Sequence, residues 1–257
     1  MQPTPTRTTV LAFDVGKRDL SYCLFSVDVL AGQITDLDIK QWRIMDIRPQ
    51  NSGQIKWKLV EQSLCVDNLC RISMTDDLFN NALRQADMIG IETQYRNQQM
   101  FALSHAIQCC VRFVNERDPV IPLLYVSAKG KFDDAKYLGF KLRHDTSYKA
   151  CRAKVPRPTQ YQVRKMIKEN SISIAEQVLE QFDDDNCSWA FQLRTCKRCV
   201  VDDYSDSLLV GLSALCRKRI VTKPLPLPTP LLAHTDKLKP GTSDVDDGDA
   251  LSVPQTR

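Results

Sequence analysis

Glycine is scarce in this chain, with 9 in 257 residues, and no stretch concentrates it. ATP-binding domains of the actin-like or sugar-kinase-like kind need Gly-rich loops where backbone N–H groups approach phosphate closely. The triplet Asp14-Val15-Gly16 has the D-x-G form that can follow a first strand in such domains. No second Gly-rich loop accompanies it, so that class fits poorly. Long apolar runs are lacking too. None approaches the roughly 20 residues needed to cross a bilayer, and MQPTPTRTTV at the start has neither an apolar signal core nor an Arg-rich presequence. The expectation is a soluble protein with no membrane partner, intracellular in the cytoplasm or nucleus, and not secreted.

Histidine is also rare, at three residues, whereas cysteine reaches ten. Cys23, Cys109, Cys110 and Cys216 sit inside apolar segments, where cysteine acts as a small hydrophobe. Cys196 and Cys199 form a lone C-x-x-C, with Cys187 upstream as a third candidate ligand. Structural zinc needs four ligands at suitable spacing, and no fourth is evident nearby. Reduced thiols are the expected state.

Hydrophobic residues make up 43% of the chain, enough for a substantial core. The net charge is only +4, but it is unevenly spread. Between Ser127 and Lys168 there are twelve Lys/Arg against three acids, a local excess of nine, with Tyr137, Phe140, Tyr148 and Tyr161 interleaved. Neutralising phosphates dominates nucleic-acid affinity, so such a segment suits a polyanion. Lys149, Arg152 and Lys154 are the candidate DNA-binding residues. An ordinary solvated basic surface is the plainer alternative.

Patterning suggests an alternating order of elements. Val10–Asp14 is a short apolar run closed by an acid, and Leu20–Val27 suits a hairpin partner. Ile34–Ile47 suits a third strand, and one or two helices fit 55–86. Met88–Ile91 is another short strand, followed by the acid Glu92. Residues 98–114 contain no Pro or Gly and carry Met100, Leu103, Ile107, Val111 and Val114 on one helical stripe. A strand over 120–126, a loop-like stretch over 143–158, a helix over 159–182 and an irregular segment over 183–200 follow. A helix over 204–218 closes the body. The division expected is a domain over 1–219 and a Pro-rich, disordered tail over 220–257.

Three features of this order carry chemistry. Asp14 closes the first strand and Glu92 the fourth. Asp203 and Asp206 open the last helix, three residues apart and so on one face. Each has a bland explanation alone: a turn residue, or for Asp202 and Asp203 an N-cap. Together, four acids gathered by a fold would repel one another, which a divalent cation offsets. Carboxylates suit Mg²⁺ or Mn²⁺, and two such ions can activate a water and stabilise the leaving oxygen of a phosphodiester.

The residues in question resemble a known family. Phe13-Asp14-Val15-Gly16-Lys17-Arg18-Asp19-Leu20-Ser21-Tyr22 looks like the first motif of RuvC-type Holliday junction resolvases. The branch it is most similar to is that of poxviruses, other large DNA viruses and fungal mitochondria. Ile91-Glu92 with Gln94, Arg96 and Met100 resembles the second motif, and Asp203-Tyr204-Ser205-Asp206-Ser207-Leu208-Leu209 the closing D-x-x-D-[SA]-L motif. The likeness covers residues 8–219 and rests on about 25 positions. It implies an α/β, RNase H-like fold: a mixed five-stranded sheet flanked by helices, here with a basic insertion and a Pro-rich C-terminal tail. It also implies a homodimer acting on four-way DNA junctions in recombination and repair, by paired symmetric nicks that need Mg²⁺ or Mn²⁺. A viral replication site would suit that role. Asp14, Glu92, Asp203 and Asp206 match the family's metal-binding carboxylates, with Asp202 the second choice beside Asp203. The helix over 98–114 matches the family's dimer helix, although its apolar stripe suits core packing equally. The Pro-rich tail and the stretch over 183–200 match no motif.

Two other classes compete. Another RNase H-like nuclease, acting on RNA–DNA hybrids, flaps or other branched DNA, would carry the same metal site. A DNA-binding protein that had lost catalysis would not need all four acids.

Overall fold

A computed structural model of the chain describes residues 3–16, 19–48, 60–93, 98–114, 120–154, 156–182, 189, 195 and 198–225. Five strands form one sheet: β1 (Thr6–Val15), β2 (Asp19–Leu30), β3 (Gln33–Asp46), β4 (Met88–Thr93) and β5 (Leu123–Ser127). Their order is β3-β2-β1-β4-β5. The first three pair antiparallel, while β1–β4 and β4–β5 pair parallel. This is the mixed five-stranded sheet expected from the sequence. The β2–β3 hairpin turns at Ala31 and Gly32, which have φ of 50° and 83°, as a tight two-residue hairpin requires.

Between the strands lie α1 (Val60–Thr75), α2 (Asp77–Gln85), α3 (Gln98–Val114), α4 (Gly130–Tyr137), α5 (Tyr148–Ala153), α6 (Gln160–Gln181) and α7 (Arg198–Arg217). Each buried strand feeds two cores, because successive side chains alternate between faces. On β1, Leu11, Phe13 and Val15 join Leu69, Phe79, Leu83, Ile107 and Val111 of the first three helices. Val10 and Ala12 face the other way, toward Ile174 and Val178 of α6 and Leu208 and Leu212 of α7. The stripe Met100, Leu103, Ile107, Val111, Val114 of α3 is therefore core. The opposite side of that helix leaves Phe101 and Phe113 exposed.

α7 approaches the sheet unusually closely. A Cβ on Gly211 would stand 2.4 Å from Phe25 Cε1 and 3.0 Å from Ala12 Cβ. Trp42 secures the same helix to β3, its indole N–H donating to the Tyr204 carbonyl at 2.8 Å and to Ser207 Oγ at 3.1 Å.

Three local expectations need correction. The stretch 143–158 is not all loop, because Ser147 caps the short helix α5 by accepting from the Ala150 N–H. α4 was not anticipated, its eight residues having almost no amphipathic pattern among their charges. The last helix begins at Arg198, six residues before Tyr204, so Asp202 and Asp203 lie within it and cap nothing. Residues 220–225, at the head of the expected tail, pack on the body. Gly32 O accepts from the backbone N–H groups of Thr222 and Lys223, Leu138 O accepts from that of Leu225, and Val221 and Leu225 are buried. Chain contacts divide the protein between residues 227 and 228. Cys187, Cys196, Lys17, Arg18, Gln94 and Arg96 lie outside the described residues, as does the tail beyond 225. No described helix is long and apolar enough to cross a membrane.

Candidate metal centre

Strand register brings the first two acids together. In the parallel pair β1–β4, Phe13 lies beside Ile91, and the next residues are Asp14 and Glu92. Phe13 and Ile91 point into the core shared with α1–α3, so the alternation of side chains turns Asp14 and Glu92 to the α7 side. α7 supplies the third acid. Asp206, Val210 and Ala214 recur every fourth residue on one helical face. The latter two fit against Gly90, whose Cβ would lie 3.3 Å from Val210 Cγ1 and 3.1 Å from Ala214 Cβ. A glycine in β4 thus lets the helix come near enough for Asp206 to reach the strand ends. Asp14, Glu92 and Asp206 each offer an oxygen within 4.8 Å of the others.

Asp203 stands one helical turn earlier, and among the described residues it is not part of that set. Its backbone carbonyl accepts the Ser21 hydroxyl at 2.5 Å, tying α7 to β2. Burial first, then the charges of Asp202 and Asp206, push its carboxyl up to about 6, against the pull of Lys168. Asp202 is buried at 3% exposure and committed to an ion pair with the Lys168 ammonium. Between the two, Asp202 is already paired with Lys168, while Asp203 enters no ion pair among the described residues.

The cluster also contains a cation that the sequence did not single out. Lys131, the second residue of α4, is 3% exposed. Its Nζ lies 2.8 Å from Asp206 Oδ1 and 3.3 Å from Glu92 Oε2. It does not belong to the solvated basic surface with which it was counted. Ser171 Oγ, on α6, donates to Asp206 Oδ1 at 2.5 Å. Neither residue left a signal in the sequence: a lysine within a basic run and a serine within a helix look alike wherever they point.

The electrostatics follow from this arrangement. Asp14 is held well above the usual carboxylate range by burial, by the charge of Glu92 and a hydrogen bond to it, and by Asp206, with Lys131 opposing. Burial would also raise Glu92, but the Lys131 ammonium and the hydrogen bond with Asp14 outweigh it and leave Glu92 below its ordinary value. Asp206 is raised, burial outweighing Lys131 and Ser171. Of the Asp14–Glu92 pair, Asp14 is thus the one that takes up a proton more readily. Burial works against the Lys131 ammonium, yet the surrounding carboxylates hold its pKa above the ordinary value. Among the described residues, one ammonium for three clustered acids leaves negative charge uncompensated, and hard oxygen donors converging at this spacing can hold a divalent cation.

Of the candidate DNA-binding residues, Arg152 and Lys154 are exposed at the end of α5. The side chain of Lys149 lies outside the described residues, and so does that of Cys199.

No family model matches the chain, and no curated protein does. Solved structures with similar coordinates exist. The yeast mitochondrial Holliday junction resolvase aligns over 85% of this chain and 83% of its own, with 15% identity and a TM-score of 0.46. The fowlpox virus resolvase, solved with Holliday junction DNA, aligns over 82% and 98%, with 14% identity and a TM-score of 0.41. RuvC of Thermus thermophilus aligns over 84% and 99%, with 11% identity and a TM-score of 0.41.

Proposed function

We propose that this chain is a divalent-metal-dependent endonuclease that resolves four-way DNA junctions by paired nicks, acting as a homodimer. The single observation that carries the reading is the meeting of Asp14, Glu92 and Asp206. They come from two parallel strands and the last helix, in the order and on the elements that the three sequence motifs require. Asp14, Glu92, Asp206 and, one turn away, Asp203 would hold the metal, Mg²⁺ or Mn²⁺. Bound there, such ions supply a nucleophilic water and neutralise charge on the reacting phosphodiester.

The chain's own groups set the stage for that chemistry. Lys131 favours the ionised, metal-ligating forms of Glu92 and Asp206, against the burial of both. Ser171 fixes the rotamer of Asp206 through its hydrogen bond. Asp14, the more readily protonated of the pair, must be ionised to ligate a cation, so metal affinity rises with pH. The Lys168–Asp202 pair holds α6 against α7 beside the site. Arg152 and Lys154, with Lys149, are assigned to the DNA backbone.

The exposed side of α3 is the natural dimer surface. Phe101, His105, Cys109 and Phe113 follow one another at every fourth residue on that face, and all four are exposed. An intracellular setting, in the cytoplasm, nucleus or a viral replication site, suits this function.

The competing substrate is an RNA–DNA hybrid or flap, which the same carboxylates could cut. A substrate panel separates them: four-way junction, linear duplex, flap and RNA–DNA hybrid, each with Mg²⁺ and with EDTA. Incision confined to the junction is expected. Equal cutting of the hybrid would overturn the junction assignment.

A further inference from the structure

An open cleft of about 700 Å³ lies between α5 and the first turns of α6. Its walls carry three guanidinium groups, from Arg152, Arg157 and Arg164, together with the Cys151 thiol and apolar Pro158 and Val163. Among the described residues, no carboxylate lines it. Arg157 and Arg164 are exposed, and neither enters an ion pair among the described residues. At the start of α6, the N–H of Gln162 is already taken by Thr159 Oγ1 and that of Thr159 by Gln162 Oε1. The arginines make the cleft a site for anions, and their planar forks match phosphate oxygens.

α6 connects this cleft to the acidic cluster. Gln160, Arg164, Ile167 and Ser171 recur at spacings of four, three and four residues, which places them on one helical face. The first two belong to the cleft, and Ser171 bonds Asp206. At about 1.5 Å of rise per residue, the cleft lies roughly 10–17 Å along the helix from the metal ligand. Phosphates of one strand advance by about 3.4 Å each along a duplex, so that distance corresponds to roughly three to five nucleotides.

We propose that the cleft holds backbone phosphates of the DNA strand entering the acidic cluster, three to five nucleotides from the phosphodiester that reacts. This rests on the nuclease reading above and extends it. The cleft sets how the strand is threaded past the carboxylates, with Arg157 and Arg164 as its principal contacts and α6 as the rule between contact and cut.

The test uses the full chain. Arg157→Gln/Arg164→Gln is compared with Arg71→Gln/Arg84→Gln, which removes the same charge from exposed positions of α1 and α2 on the other face of the sheet. Junction binding is measured in EDTA across a salt series. Losing two phosphate contacts should lower the slope of log K against log salt by about 1.4–1.8, and weaken binding by roughly 25- to 60-fold at 0.1 M salt. The control pair should leave both nearly unchanged. In wild type, junction DNA should slow alkylation of Cys151, read by peptide mass spectrometry, relative to the DNA-free protein.

Equal effects of the two variant pairs would overturn the assignment, and so would an unprotected Cys151. Protection by inorganic phosphate at the same phosphate concentration would also overturn it, by marking a small-anion site instead. The two readings fail separately. If wild type cuts the junction while the cleft tests are flat, the cleft assignment falls alone. If Cys151 is protected and the slope falls, yet no nucleic acid is cut with Mg²⁺, the cleft stands and the nuclease reading falls.

Discussion

Replacing Lys131 by methionine removes the only ammonium that the described structure places inside the acidic cluster, while keeping most of the apolar stem. Glu92 and Asp206, at 3.3 and 2.8 Å from Nζ, then lose their shared cation. Removing one partner of a buried ion pair typically costs about 3–5 kcal/mol. The carboxyls can take up a proton instead, so about 3 kcal/mol at pH 8 is the expected loss, shrinking toward about 1 at pH 5. The sign follows from linkage. Without Lys131 the folded-state pKa values of Glu92 and Asp206 rise, and a raised acid contributes stability at low pH that is lost as pH climbs through it. For a body of this size the loss at pH 8 should lower Tm by about 6–12 °C.

Divalent cations should narrow the gap. A ligand at one hundred times its Kd stabilises by about 2.7 kcal/mol, and the variant offers carboxylate oxygens that Lys131 otherwise occupies. Urea unfolding, followed by the fluorescence of core residue Trp42, measures all of this at pH 5 and 8, with EDTA and with Mn²⁺. A loss below about 1 kcal/mol at pH 8, or a gap unaffected by pH and metal, would refute the assignment of Lys131 as the cluster's resident cation.

Other consequences are open to direct measurement. Asp203, pushed up to about 6 from 3.8, contributes stability below pH 4 that is lost as pH rises through 6. Allowing for its partial exposure, about 1–2 kcal/mol should disappear between pH 4 and 7 in EDTA, and Asp203→Asn should flatten that part of the pH profile. Ser171→Ala should weaken Mn²⁺ binding by roughly 10- to 100-fold in calorimetric titration, while Ser171→Thr should retain most of it. Equal affinity in the alanine variant would show that Ser171 does not position Asp206. Gly211→Ala places a methyl where Phe25 Cε1 would stand at 2.4 Å. Overpacking of this kind costs about 1–3 kcal/mol, and a stability equal to wild type would mean α7 shifts freely away from the sheet.

Much of the sheet was legible because its strands are short apolar runs with alternating outward turns, and two of them end in acids. Asp14 and Glu92 stood out for that reason: an acid at the end of a buried strand has few structural uses. Their adjacency was not legible, since it comes from the Phe13–Ile91 register, which spans seventy-eight residues of chain. β1 starts at Thr6 rather than Val10 because Thr6–Thr9 pair with β2 despite their polarity. The early start of α7 was hidden because Asp202 and Asp203 look like N-caps of a helix that follows them, whereas the helix already includes Arg198–Val201 before them. Lys131 was misplaced for a deeper reason. Charge counting treats every lysine as solvated, and only the tertiary position of α4 shows this one facing Glu92 and Asp206. The choice between Asp202 and Asp203 likewise needed Lys168, thirty-four residues away from Asp202, to show which acid was already paired.

The most direct measurement is strand-by-strand mapping of a synthetic four-way junction, labelled on each of its four strands in turn. With Mg²⁺ or Mn²⁺, the wild-type chain should leave nicks at symmetry-related positions in two opposing strands. Those nicks should vanish in EDTA, and also in Asp14→Asn and Glu92→Gln, provided both variants unfold at least as cooperatively as wild type. Incision that persists in EDTA or in both variants would contradict a metal-dependent site built on Asp14, Glu92 and Asp206.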